Sequence, residues 1–310
     1  MGSATDRLSQ SRLVFTSVVT PGRSSETDAV LLAESIRAFA GCLSESPIWF
    51  YVPGNGDEVS SEAEDRLLAL DVELVHFRVD KECARFFFVP QAVAAARAEE
   101  RAEGEAALMA WMLPNTLVLR EPRDLLLPGG KSVGYRPVHH TNVGSRIGEP
   151  LDSFWGLVYA RCGVPEDRVF PMKTHVDGET LRPYINAGLL AARPERRLMR
   201  GWRDLFLGLY REPEFEEQYR RDERYKIFLH QALLSGLTLS SFGREELLEL
   251  PPTYNYPMHL YDEDATGRRP GSLEELVTLR HEGFYEDPNW EEKMPAREPL
   301  RRWIADRLLR

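Results

Sequence analysis

The stretch Trp111-Met112-Leu113-Pro114-Asn115-Thr116-Leu117-Val118-Leu119-Arg120-Glu121-Pro122 reads as the end of a buried strand, a tight turn over Leu113, Pro114 and Asn115, and a second apolar run leaving that turn. In open α/β folds a turn at the carboxyl end of a sheet strand is where ligands bind, because the connections diverge there and leave a crevice. The turn is therefore the expected centre of the active face.

Upstream, Leu13-Val14-Phe15-Thr16-Ser17-Val18-Val19-Thr20 is β-branched and almost continuously apolar, as in a strand buried on both faces, and Pro21-Gly22 ends it. Ser25-Glu26-Thr27-Asp28 fits a capping box, with Ala29, Leu32, Ala33, Ile36, Phe39 and Ala40 following at helical spacing. Residues 48–52 form a second strand, closed by Pro53-Gly54-Asn55-Gly56; residues 61–70 form a helix and residues 72–77 a third strand. Strand, helix, strand is the opening of a parallel sheet. The alanine- and glutamate-rich residues 91–110 predict a helix that delivers the chain to Trp111.

Downstream, residues 133–138 read as a strand and 151–160 as a helix. Tyr184-Ile185-Asn186-Ala187-Gly188-Leu189-Leu190 is a short strand whose glycine marks close approach of backbone or ligand. Leu198, Trp202, Leu205, Phe206 and Leu209 share one face of the next helix. Residues 212–224 are a charged, solvated helix or loop, 227–234 an apolar helix, 251–257 an extended segment and 297–310 an amphipathic tail. The fold class expected is α/β, with a mixed, mainly parallel sheet flanked by helices.

The chain has 310 residues, 43% of them hydrophobic and 28% charged, enough to bury a large core. A net charge of −10 argues against nucleic acid or an anionic membrane as partner, since each calls for a basic face. Cys42, Cys83 and Cys162 are odd in number and far apart, which fits neither a disulfide framework nor a zinc site and favours a reducing compartment. Residues 1–7 lack the apolar core of a signal peptide, and no apolar run approaches the roughly 20 residues that span a bilayer. A cytoplasmic protein is the expectation.

The frame around Trp111 resembles the Trp-Leu-Asp-Ser-Asp-Thr-Leu-Val-Leu segment of many sugar-nucleotide-dependent glycosyltransferases of the GT-A fold, whose Asp-x-Asp pair holds a divalent metal against the diphosphate. Here Leu113-Pro114-Asn115 stands in that place, so both carboxylates are lost. Tyr184-Ile185-Asn186-Ala187-Gly188 resembles the Phe/Tyr-x-Asn-Ala-Gly segment of glycosyltransferase family 8, in which the asparagine contacts the donor sugar. An amide suits hydroxyls, offering one acceptor and two donors without a charge; a buried asparagine holding a turn is the alternative. His230-Gln231 falls where that family has Asp-Gln, and His281-Glu282-Gly283 resembles its closing motif, whose histidine is a metal ligand; the spacing differs and the Lys-Pro pair is absent.

Outside these matches, Lys173-Thr174-His175-Val176-Asp177-Gly178 is chemically dense. If extended, it projects His175 and Asp177 to one face, as a general base with its orienting carboxylate, or as two ligands of an unconventional metal site; a loop whose side chains cap backbone groups is the other reading. His139-His140 is less informative, because neighbours on a strand face opposite sides. Gly129-Gly130-Lys131-Ser132 is not a phosphate-binding loop, since Leu125 occupies the place of its first glycine, and Gly144-Ser145-Arg146-Ile147-Gly148 has the wrong spacing for a nucleophile elbow.

The resemblance implies one GT-A-like domain over residues 1–310, divided into a nucleotide-binding half (10–168), a sugar and acceptor half (169–260) and a closing segment (261–310). It implies a nucleoside-diphosphate sugar as donor, an unknown acceptor, and donor contacts at Thr16, Ser17, Asn115, Lys173, Asn186, Gly188, His230 and Gln231. His175 and Asp177 would act on the acceptor, and His281 is the one residue matching a metal ligand. A divalent manganese or magnesium ion fits poorly with one imidazole and no Asp-x-Asp carboxylates. Arginine or lysine can replace the metal beside a diphosphate, with Lys131, Arg136, Arg146, Lys173 and Arg182 as candidates. Two readings stay open: a glycosyltransferase working without the usual metal, and a GT-A-like sugar- or nucleotide-binding partner that has lost catalysis. A third places different chemistry on His175 and Asp177 with a transition metal.

Overall fold

The computed structural model describes residues 12–54, 58–84, 86–282 and 289–308. Asn55, Gly56, Gly283, residues 1–7 and the end of the tail, singled out in the sequence, lie outside them. Strand β1 (Val14–Val18) leads into α1 (Arg23–Phe39), β2 (Ile48–Pro53), α2 (Ser61–Ala69), β3 (Val72–Phe77), the short α3 (Lys81–Ala84), α4 (Val89–Glu105) and β4 (Met109–Met112). After the Leu113–Asn115 turn come β5 (Thr116–Val118), β6 (Val133–Pro137), α5 (Ser153–Cys162), a hairpin of β7 (Met172–Lys173) and β8 (Thr180–Leu181), and the long β9 (Ile185–Ala192). Helices α6 (Leu198–Leu209), α7 (Pro213–Arg221) and α8 (Glu223–Ser241) precede β10 (Leu247–Glu249), β11 (Tyr256–Pro257), β12 (Thr278–Arg280), α9 (Trp290–Lys293) and α10 (Leu300–Leu308).

Seven strands form the main sheet in the order β10-β6-β9-β4-β1-β2-β3, with β9 antiparallel to both neighbours and the remaining pairs parallel. This is the mixed, mainly parallel sheet that the sequence predicts. Strand β9, from the second half of the chain, lies between β4 and β6 and joins both halves into one sheet. The two-residue period of β1 sends Val14 and Val18 to the core under α4, α6 and α8, and Phe15 to the core under α1 and α2. A third core gathers Leu117, Leu279, Trp290 and Trp303 beneath the small sheet β11-β12-β5, laying the C-terminal segment against the Leu113–Asn115 turn.

Three local readings differ from the structure. Helix α1 begins at Arg23, ahead of Ser25, and the Glu26 carboxylate reaches back to the Gly22 N–H at 3.0 Å, so the acidic half of the capping interaction forms around Gly22. The helix expected over 91–110 stops at Glu105: Gly104 takes φ 112°, which an L side chain rarely adopts, and Met109–Met112 pair as a strand between β1 and β9. Residues 174–177 bend rather than run on as a strand, so His175 and Asp177 do not share a strand face.

Candidate functional site

The site forms where β4, β6 and β9 end and β12 crosses the turn. Register fixes the meeting: β12 pairs antiparallel with β5, setting Arg280 opposite Thr116, and the His281 N–H donates to the Asn115 carbonyl at 3.1 Å. The Leu113 N–H donates to the Gly188 carbonyl at 2.9 Å, which locks the turn to β9. Gly188 is required by this crowding, because an added Cβ would lie 2.8 Å from Asn186 Oδ1 and 3.1 Å from Arg280 Nη1. The Arg280 guanidinium thus lies across the Asn186–Gly188 segment and beside the turn that stands in place of Asp-x-Asp.

Around it sits a polar cluster. Glu282 pairs with Arg280, accepts from Asn115 Nδ2 at 3.2 Å and lies 3.2 Å from His259 Nε2. His139 Nε2 is 3.2 Å from the Asn255 carbonyl, and its ring centroid is 6.3 Å from that of His259 and 6.0 Å from that of His175. A carbonyl accepts only, so Nε2 of a neutral His139 carries the proton. Burial, aided by Arg280, His175 and His259, holds His139 well below the ordinary histidine range, and the ring is neutral near pH 7. Burial also lowers the Arg280 pKa, while Glu282 opposes that shift.

Several residues of the implied donor site are occupied with holding the scaffold. Thr16 Oγ1 donates to the Ala110 carbonyl at 3.1 Å and Ser17 Oγ to the Met112 carbonyl at 2.7 Å; both side chains are buried and tie β1 to β4. Asn186 Oδ1 accepts from the Gly188 N–H at 2.7 Å, and Gln231 Oε1 from the Ala187 N–H at 3.0 Å. These amides satisfy backbone donors of β9 where glycine and the bulge beside Pro137 interrupt regular pairing. His230 lies in the core, stacked on Phe88 at 3.9 Å with its Nδ1 2.9 Å from the Ile227 carbonyl; burial drives its pKa down to about 3. Its surroundings are those of a packing residue.

The same holds for Asp177. Its carboxylate accepts from the Thr141 N–H and hydroxyl at 2.9 and 3.0 Å and from the Thr174 hydroxyl, closing the β7–β8 loop. Burial works to raise its pKa, but the bonds from Thr174 and Thr141 prevail and leave it below the usual value. No hydrogen bond or ion pair joins it to His175 among the described residues. His175 is instead buried between Tyr256 and His139, and burial, aided by Arg136 and opposed by the Pro252 backbone, holds its pKa far below normal. Lys173 and His175 both line a cleft of about 410 Å³ beside the cluster, floored by the buried Arg136.

Of the other cations, Lys131 Nζ donates to the Glu245 and Leu247 carbonyls, Arg182 holds Ser145 and the Glu149 carbonyl, and Arg146 pairs with Glu149 and Glu179. These three are structural or at the surface. His281 Nε2 lies 3.5 Å from Asp28 Oδ1, and burial lowers its pKa to about 4. Among the described residues no three histidine, cysteine, aspartate or glutamate side chains are grouped to hold a metal ion. At the turn, Leu113 carries no ligand atom and Asn115 offers one neutral amide oxygen, Oδ1, where the Asp-x-Asp enzymes have two carboxylates.

Arg280, His259 and Asn255 belong to no motif in the sequence, Glu282 enters only as the residue after His281, and His139 is less informative there. The signal for Arg280 was its place next to His281, read only for its imidazole. No described helix is long and apolar enough to cross a membrane.

No curated protein matches the sequence. Two solved structures are similar in shape. Mouse xyloside xylosyltransferase 1 in its apo form has a TM-score of 0.48 and 14% identity, over 87% of this chain and 97% of that one. The apo structure of the bifunctional glycosyltransferase WbbM has a TM-score of 0.47 and 14% identity, over 97% of this chain and 52% of that one. The family model described as the Rhodobacterales glycosyltransferase domain matches residues 15–243, well over half of the chain. The chain therefore belongs to the Rhodobacterales glycosyltransferase domain family.

Proposed function

We propose that this protein transfers a sugar from a nucleoside-diphosphate donor to an acceptor hydroxyl, and that Arg280 takes the place of the divalent metal. One observation carries this reading: the Arg280 guanidinium lies against Gly188 and Asn186, beside the Leu113–Asn115 turn where the Asp-x-Asp carboxylates would stand. A diphosphate leaving group develops negative charge as its bond to the anomeric carbon breaks. A guanidinium held in a low-dielectric site stabilises that charge without reorganising. Arg280 is mostly buried, Glu282 holds it in place, and its Nε has no acceptor among the described residues, which leaves a donor for a phosphate oxygen.

Asn186 Oδ1 is held by the Gly188 N–H, so its Nδ2 is the group that can meet a sugar hydroxyl. Asn115 Oδ1 is buried without a partner among the described residues and offers an acceptor at the same turn. The acceptor oxygen forms the new bond to the anomeric carbon, and its proton passes to a neutral imidazole; His175 is the histidine that lines the cleft.

Thermal melts with a panel of nucleoside diphosphates and sugar nucleotides, in EDTA and in manganese, test the reading. A sugar nucleotide should raise the melting temperature equally in both, because ligand binding the native state stabilises it by mass action. Arg280→Gln should weaken that binding at least about tenfold, the range for losing a charge-assisted contact. Stabilisation that needs manganese would overturn the role of Arg280. Binding without turnover would favour the partner protein that has lost catalysis.

A further inference from the structure

The cleft beside the cluster is lined by groups whose hydrogen-bonding capacity is unevenly used. Its acids are engaged within the protein. Asp177 is held by Thr141 and Thr174; Asp264 accepts from the Tyr256 hydroxyl at 2.9 Å and from the Thr266 N–H and hydroxyl at 2.9 and 2.6 Å; Glu249 lies 3.3 Å from Arg136, and Glu275 accepts from the Gly271 N–H at 3.2 Å. The nitrogen donors are used only in part. Arg136 is 3% exposed; its Nη1 donates to the Leu250 carbonyl at 2.6 Å and lies 3.3 Å from Glu249, but its Nε has no partner among the described residues. His175 is 6% exposed with the Pro252 backbone as a polar neighbour, and the Lys173 ammonium and Arg268 guanidinium line the cleft with no acceptor among the described residues.

Buried donors left unpaired are costly, so a cleft that keeps one is shaped for something that supplies acceptors. Two kinds are called for. Lys173 and Arg268, at the exposed rim, suit a negative charge. The buried imidazole of His175, neutral and with the Pro252 backbone taking its N–H, presents its other nitrogen as an acceptor for a hydroxyl. The face of Tyr256 adds an apolar wall. The 410 Å³ volume falls within the ordinary range for small-ligand sites.

We infer that this cleft is the acceptor subsite and that it takes a small hydroxylated anion, a saccharide bearing a carboxylate or a phosphate. Its role as an acceptor site rests on the transferase reading above; its preference for a hydroxylated anion does not. His175 would bind a ring hydroxyl, and Lys173 and Arg268 the charged group. The ring of His139 stands 6.0 Å from that of His175, between the cleft and the Arg280 cluster, so an occupant lies next to the proposed donor phosphates.

The test is calorimetric titration of the full chain with glucuronate, glucose 6-phosphate, glucose and inorganic phosphate. At least one acidic sugar should bind ten times or more tightly than glucose, with affinity falling as salt rises. Which of the two binds identifies the charged group. Lys173→Ala should reduce that affinity about tenfold and leave nucleoside diphosphate binding unchanged, whereas Arg280→Gln should do the reverse. Equal binding of glucose and the acidic sugars, inorganic phosphate binding as tightly as either, or no effect of Lys173→Ala on a variant that melts like the parent would each overturn the inference. If Lys173→Ala abolished nucleoside diphosphate binding, the cleft would be the donor phosphate site and the acceptor assignment would fall. Acidic-sugar binding lost with Lys173→Ala, in a protein that binds no nucleotide, would sustain the cleft and sink the transferase reading.

Discussion

The end of β1 and the loop of the β7–β8 hairpin both face the carboxyl side of the main sheet, yet their polar side chains are used in opposite ways. At β1, the Thr16 and Ser17 hydroxyls bond to carbonyls of β4 and are sealed from solvent. At the hairpin, His175 and Lys173 face a cleft, the Lys173 ammonium with no acceptor among the described residues. Residue type does not separate the two places, since hydroxyls and imidazoles are equally apt for scaffold or ligand. What separates them is whether a partner within the chain already satisfies the group.

That contrast can be broken by substitution, and the largest effect is expected deepest in the scaffold. The Glu99 carboxylate, fully buried, accepts from the Met199 and Arg200 N–H groups at 2.9 and 3.0 Å and from Arg200 Nε at 3.0 Å, capping the start of α6. Glu99→Ala leaves the Arg200 charge short of a partner and should cost about 3–5 kcal/mol in urea denaturation. A loss under about 1 kcal/mol would show that the polar scaffold is not what holds α6 on α4.

Acid should expose the same scaffold next. His230 is neutral in the fold with a pKa near 3, below the value of about 6.5 in the unfolded chain. Its contribution is complete above pH 6.5 and is lost as pH falls toward 3, at about 1.4 kcal/mol per pH unit. His139 and His175, also depressed, act in the same direction. Urea denaturation at pH 7, 5.5 and 4.5 should show the fall, and His230→Phe, which keeps a ring on Phe88, should make it shallower. An unchanged slope in that variant would place the acid sensitivity elsewhere.

Much of the scaffold could be read from the sequence because its signals are local. Strands β1 and β2 are almost continuous apolar runs, and the helix expected over 61–70 forms as α2, with the Ser60 hydroxyl accepting from the Ala63 N–H at its start. The boundary between α4 and β4 falls short of the expected residue 110 because Gly104 turns the chain out of the helix and Met109–Met112 pair in the sheet, although alanine continues through Ala106, Ala107 and Ala110. The small sheet was invisible, since strands of two or three residues carry no periodicity. At the site, the motif around Asn186 pointed to the right segment but could not say that Oδ1 turns back to Gly188. Arg280 reaches the turn through a register between residues more than 150 apart, which no local pattern encodes.

The smaller effects sharpen the comparison. Ser17→Ala removes one buried bond and leaves the Met112 carbonyl without that donor, so a loss of about 1–2 kcal/mol is expected, with acidic-sugar binding unaltered. Lys173→Ala, at the exposed end of β7, should change stability by no more than about 0.5 kcal/mol, because among the described residues its ammonium has no partner that substitution would orphan. The two variants form a crossed pair: one should move the urea midpoint and spare the ligand, the other spare the midpoint and weaken the ligand. A Lys173→Ala protein as destabilised as Ser17→Ala would mean that the hairpin, like the end of β1, is scaffold. The unmatched donors of the cleft would then have to be explained by packing rather than by a missing ligand.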